Sequence, residues 1–124
     1  MSITKWVKIT GYGQHLAIGL LLIQFVVGMY VNLYGGSGMT NAHMMVGGLL
    51  LLDGLASVVF AILSKRTPLV ITTIIGLLML LFSFYAGSEF VQNGKNVFSF
   101  DMSIGYALSL AAYIFGALFV NRAR

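Results

Sequence analysis

Apolar residues fall into four long runs along this chain, at about residues 12–34, 42–63, 69–88 and 102–120. Short polar or glycine-rich segments separate them: Tyr34-Gly35-Gly36-Ser37-Gly38, Ser64-Lys65-Arg66-Thr67-Pro68 and Gln92-Asn93-Gly94-Lys95-Asn96. Each run reaches the ~20 residues that a helix needs to cross a hydrocarbon layer of ~30 Å. In lipid every backbone N–H and C=O must be satisfied, and for separate spans of this length a helix does so internally. The pattern predicts an all-α, integral membrane four-helix bundle. Connections this short make consecutive helices antiparallel neighbours. Thr40 or Asn41 is expected to cap the second helix. Pro68 stands where the start of the third tolerates it. Residues 1–11 read as an amphipathic lead-in, with Trp6 suited to the interface.

The runs also repeat. An offset of 58 lays Met44 on Met102, Gly47 on Gly105, Leu50 on Leu108 and Arg66 on Arg124. An offset of 57 lays Ile18-Gly19-Leu20-Leu21 on Ile75-Gly76-Leu77-Leu78. The expected plan is one membrane domain of two helical hairpins, 12–66 and 69–124, related by a pseudo-twofold along the membrane normal. His43, Gly47, Leu50, Gly54, Ser57 and Ala61 recur at helical spacing and form one stripe of mostly small residues. At the offset of 58 the matching stripe is Asp101, Gly105, Leu108, Ala112, Phe115 and Phe119, so Asp101 stands opposite His43.

Composition agrees with the pattern. The 124 residues are 59% hydrophobic and only 8% charged, against about 25% charged in a soluble domain. The net charge of +4 raises the possibility of nucleic acid, but its distribution gives a different reading. Lys5, Lys8, Lys65, Arg66, Arg122 and Arg124 lie at one side of the predicted spans, and only Lys95 at the other. This is a positive-inside pattern, which predicts a cell-membrane protein with both termini cytoplasmic, a lipid environment and no nucleic-acid partner. The first apolar run is too long for a signal peptide and no small-residue cleavage site follows it, so it is expected to remain a span. Absence of cysteine excludes disulfides, iron–sulfur clusters and thioether-linked haem.

Few residues offer chemistry. His43, at the outer end of the second helix, has the valence of an axial haem ligand, a copper ligand or a hydrogen-bonding interfacial residue. His15 is the only other histidine. With His43 expected at the level of Asn32, the two stand ~17 residues or ~25 Å apart along the axis, too far to share one iron. Asp53, close to mid-membrane, is the central intramembrane acid, and such groups are functional candidates by default. The cost of burying its charge favours a neutral carboxyl that donates a hydrogen bond to Gln24 or Ser57 as a helix–helix pin. The alternative is a proton relay through Asp53, Gln24 and Ser57. Met39, His43, Met44, Met45, Glu89, Asp101 and Met102 gather at the predicted outer mouth, and methionine with histidine is a donor set suited to Cu(I). His43 with Met102 is a possible haem pair. No phosphate-binding glycine loop, nucleophile–base set or paired carboxylates indicate catalysis.

The segment Val31-Asn32-Leu33-Tyr34-Gly35-Gly36-Ser37-Gly38-Met39, followed by His43 opening a Gly-Gly-Leu-rich helix, resembles half of a haem A synthase. That family is built of two four-helix bundles with a histidine at the outer start of the second helix of each. The likeness covers about residues 18–63. Thr40 stands where the family has an acidic residue, Met44 where it has an arginine and Asp101 where it has the second histidine; the outer-loop cysteines are missing. The resemblance therefore carries over His43 alone, as a ligand of haem b, and does not carry over oxidation of the haem methyl group. It implies an accessory subunit or small b-haem electron-transfer component of a respiratory-type membrane assembly. The second ligand would be Met102 or His43 of the partner subunit in a homo-oligomer. The residues themselves leave open a proton-linked carrier using Asp53 and Gln24, or an outer-face copper-binding protein.

Overall fold

A computed structural model describes residues 2–123. Four helices follow one another: α1 (Ile3–Tyr34), α2 (Ser37–Ser64), α3 (Thr67–Asn93) and α4 (Asn96–Ala123). All four are long and apolar enough to cross a membrane, so the chain is an all-α four-helix bundle and a multi-pass membrane protein. α1 packs against α2 and α4, and α3 against the same two. The helices therefore form a square with α1 opposite α3 and α2 opposite α4.

The helices outrun the apolar runs. Residues 3–11 continue α1 without a break, and Ser2 caps it by accepting from the Lys5 N–H. At 32 residues α1 is about 48 Å long, so its first turns extend beyond a hydrocarbon layer of ~30 Å. α2 begins at Ser37, ahead of the expected cap. Thr40 lies inside it and its hydroxyl donates to the Gly36 carbonyl at 2.8 Å. Gly35 and Gly36 take φ of 69° and 100°, values that glycine adopts without Cβ strain. That freedom turns the chain in two residues. Arg124, paired with Arg66 in the sequence repeat, lies outside the described residues.

Burial repeats along the chain, but at an offset of 59. Thr10 and Leu69, Gln14 and Thr73, Ala17 and Gly76, and Leu21 and Leu80 are buried in α1 and α3. Leu50 and Ser109, Gly54 and Tyr113, Ser57 and Gly116, and Ala61 and Val120 are buried in α2 and α4. The one-residue difference from the sequence offset turns the α4 stripe by 100°. Leu108 and Phe115 face outward, 50% and 67% exposed, while Ser109 and Tyr113 are fully buried. At this offset the counterpart of His43 is Met102, and that of Gln24 is Ser83.

Small residues set the helix spacing, as is usual where lipid removes the hydrophobic drive between helices. A Cβ on Gly11 would lie 2.7 Å from a Val120 methyl, and one on Gly76 would lie 2.7 Å from the Tyr113 ring. Leu21, Leu50, Leu80, Ala17 and Tyr113 form the main apolar cluster. Val7, Ala61, Leu69 and Val120 form a second one nearer the termini.

Candidate functional site

Two groups of polar side chains lie inside the bundle, both centred on the first hairpin. The outer group is Gln24 on α1 and His43 on α2. His43 packs over Gly28, where a Cβ would come within 3.0 Å of its Cε1, and a Cβ on Gly47 would lie 3.2 Å from Gln24 Nε2. The Gln24 amide Nε2 donates to His43 Nε2 at 3.4 Å, the long end of the range. Gln24 Oε1 and His43 Nδ1 remain buried without a partner. His43 is thus level with Gly28, one turn deeper than Asn32, because α1 and α2 cross close together over these glycines.

The inner group is Gln14, Asp53, Ser57 and Tyr113. Asp53 and Ser57, one turn apart on α2, both lie against Gly13: the Asp53 Oδ1 is 3.5 Å from where a Cβ would stand, and the Ser57 hydroxyl is closer still. The Gln14 amide lies across Gly116 of α4, its Oε1 2.7 Å from the position of a Cβ there. The Tyr113 hydroxyl lies 3.1 Å from the corresponding point on Gly54, the residue after Asp53. Gln14, Ser57 and Tyr113 are fully buried, and Asp53 half-buried. Both polar atoms of Gln14, the Asp53 Oδ2, the Ser57 hydroxyl and the Tyr113 hydroxyl have no partner.

Other interior hydroxyls are bonded to backbone carbonyls, in the first hairpin Thr10 to Trp6 and Ser64 to Ala61, and in the second hairpin throughout. Thr73 donates to the Leu69 carbonyl at 2.8 Å, Ser83 to the Met102 carbonyl at 3.0 Å and Ser109 to the Gly76 carbonyl at 3.0 Å. Such bonds to nearby helix carbonyls satisfy a hydroxyl without further chemistry. The unsatisfied groups belong to the first hairpin, with Tyr113 reaching across from the second.

The structure puts Asp53 and Ser57 one turn apart against Gly13, but no hydrogen bond joins them and Asp53 does not meet Gln24, so the expected pin is not formed. Gln24 is taken up by His43, above a layer of leucines. Gln14, against Gly116, and Tyr113, against Gly54 and Gly76, are the other buried polar side chains in this part of the bundle, and neither is hydrogen-bonded to the carboxyl. Sequence reasoning missed both, although Thr10, Gln14, Ala17, Leu21, Gln24 and Gly28 follow the spacing of one helix face. His15 is exposed, and its Nδ1 donates to the Gly11 carbonyl at 2.8 Å. Glu89 accepts from the Asn93 side chain at 2.7 Å near the end of α3. Asp101 is partly buried near the start of α4.

Nor do the expected ligand sets assemble. Met44 and Met45 turn outward, 67% and 71% exposed, away from His43. Among the described residues no group of three histidine, aspartate or glutamate side chains converges as a metal site. Met102 lies against Gly87, its sulfur 3.1 Å from the position of a Cβ. His43 thus faces α1 and Met102 faces α3, each within its own hairpin, and in this arrangement the two do not face one iron.

No family model matches this chain, and no characterised protein or solved structure is similar to it.

Proposed function

We propose that this multi-pass membrane protein is a small proton-linked carrier in which Asp53 takes up and releases the proton. The observation that carries the reading is the set of buried, unpartnered polar groups in the same part of the bundle as that carboxyl: Gln14, Ser57 and Tyr113. A carboxyl near mid-membrane costs about 2.5–3.5 kcal/mol to insert. Leaving a buried amide or hydroxyl unpaired costs about 1–3 kcal/mol more for each group. A bundle kept only for packing would carry apolar residues there, or hydroxyls tied to backbone carbonyls as in the second hairpin. The Gln14 amide and the Ser57 and Tyr113 hydroxyls can donate to an ionised Asp53. The hydroxyls and the amide oxygen can also accept from a protonated one. That versatility suits a carboxyl that changes state. The positive-inside distribution of Lys5, Lys8, Lys65, Arg66 and Arg122 supports reading the inner group as the one nearer the cytoplasmic face.

Proteoliposomes holding a pH-sensitive dye test this under a potassium diffusion potential. Wild-type protein should carry protons at a rate well above empty vesicles, and Asp53→Asn should abolish the flux while the bundle still assembles. Equal flux through Asp53→Asn, or none through wild type, removes the reading.

The buried, unpartnered Nδ1 of His43 favours a second reading: an accessory subunit or b-haem electron-transfer component of a respiratory-type assembly. His43 would be one axial ligand and Met102 the other after both turn, or His43 of the partner subunit in a homo-oligomer. Haem-replete expression should then give a Soret band that His43→Ala loses; protein without that band removes the haem.

A further inference from the structure

We infer that the two polar groups are separate half-sites, reached from opposite faces of the membrane and closed from each other by a single leucine layer. Leu21, Leu50 and Leu80 form that layer, and they are 1%, 2% and 3% exposed. They belong to one packed cluster with Ala17 and Tyr113. Their order along the helices fixes their place. On α1, Leu21 stands between Gln24 and Gln14; on α2, Leu50 stands between His43 and Ser57. Seven residues, about 10 Å, separate Leu50 from His43 and from Ser57, while Gln24 and Asp53 stand closer, three residues or about 4.5 Å from Leu21 and Leu50 along their helices. The fourth corner is Ser109, whose hydroxyl proton is committed to the Gly76 carbonyl. No polar side chain with an unpartnered atom lies in the layer, whereas unpartnered buried polar atoms lie on both sides of it.

Buried polar atoms of this kind are ordinarily satisfied by water. Water reaches a membrane interior from the nearer face, and an apolar constriction interrupts it by dewetting. Gln24 and His43 lie toward the interhelix turn after α1, the inner group toward the end that carries the termini. Each group therefore has its own aqueous side, and the leucines are the barrier between them. The inference rests on the carrier reading only for its consequence in flux: a carrier built this way conducts when the layer opens.

The chain has no cysteine, so single cysteines report accessibility cleanly. In sealed, oriented vesicles a membrane-impermeant thiol reagent should modify Gln24→Cys from the turn side only and Ser57→Cys from the termini side only. Leu50→Ala should raise proton flux at least tenfold over wild type, while Leu52→Ala, on the lipid face and 65% exposed, should leave it unchanged. Cysteines that react from the same side, or that do not react at all, overturn the inference. So does a folded Leu50→Ala variant that conducts no faster than Leu52→Ala. If Leu50→Ala does not fold, the cysteine pattern alone decides. Opposite-side labelling without wild-type flux keeps the barrier and removes the carrier; Asp53-dependent flux with same-side labelling does the reverse.

Discussion

Tyr113 and Gly54 hold equivalent places in the two hairpins and meet inside the bundle, the tyrosine hydroxyl 3.1 Å from where a Cβ on Gly54 would stand. One half supplies the largest buried side chain and the other supplies none. The same ring fills the gap at Gly76, whose added Cβ would lie 2.7 Å from the ring's Cζ. A near-symmetric scaffold thereby closes around one aromatic, and the missing side chain at Gly54 lets the Tyr113 hydroxyl reach across the bundle from α4 to α2 next to Asp53.

Gly76→Ala should therefore destabilise the bundle by about 1–3 kcal/mol, since a packed ring cannot withdraw as a flexible chain end does. In a Tyr113→Val background the same change should cost little, because the ring is gone. Gly19→Ala and Gly48→Ala meet nothing within 4 Å and should stabilise by about 0.5–1 kcal/mol, the ordinary gain of alanine over glycine in a helix. Reversible unfolding in mixed detergent micelles measures all of these.

Gln14→Leu should separate stability from activity. Its amide is fully buried and neither polar atom bonds another protein group, so water is its one source of compensation, and an apolar side chain of similar volume removes a burial cost of up to about 1–3 kcal/mol. The bundle should become more stable while proton flux in vesicles falls. Lower stability with flux unchanged would mean that Gln14 serves packing alone.

The fold was legible in the sequence because hydropathy and length decide it. Four runs of about 20 apolar residues in lipid leave helices as the one economical answer. Two-residue connections between α1 and α2 and between α3 and α4 follow from the glycines at those turns. What the apolar pattern does not encode is rotation about each helix axis. Leu108 and Ser109 are both acceptable in a membrane span, and only packing against Gly76 turns Ser109 inward. That rotation moved the counterpart of His43 from Asp101 to Met102, while the register of α1 against α2 paired Gln24 with His43 in place of Asp53. Gln14 was overlooked because a lone amide beside His15 looks interfacial until its helix is seen to continue for eleven residues before it.

Crossing glycines set the register of α1 against α2, and a cross-link can read it. Sequence spacing alone puts His43 level with Asn32, whereas the structure seats its ring over Gly28 with 3.0 Å between its Cε1 and a Cβ there. The four-residue difference is about 6 Å along the axis, more than a short thiol cross-linker spans in addition to the helix separation. In the cysteine-free chain, Gly28→Cys with His43→Cys should link rapidly through such a reagent, and Asn32→Cys with His43→Cys should link at least tenfold more slowly. The reverse order would slide α2 one turn outward along α1 and take Ser57 and Asp53 off Gly13. The inner polar group would then no longer exist as described, and the carrier reading would lose the observation it stands on.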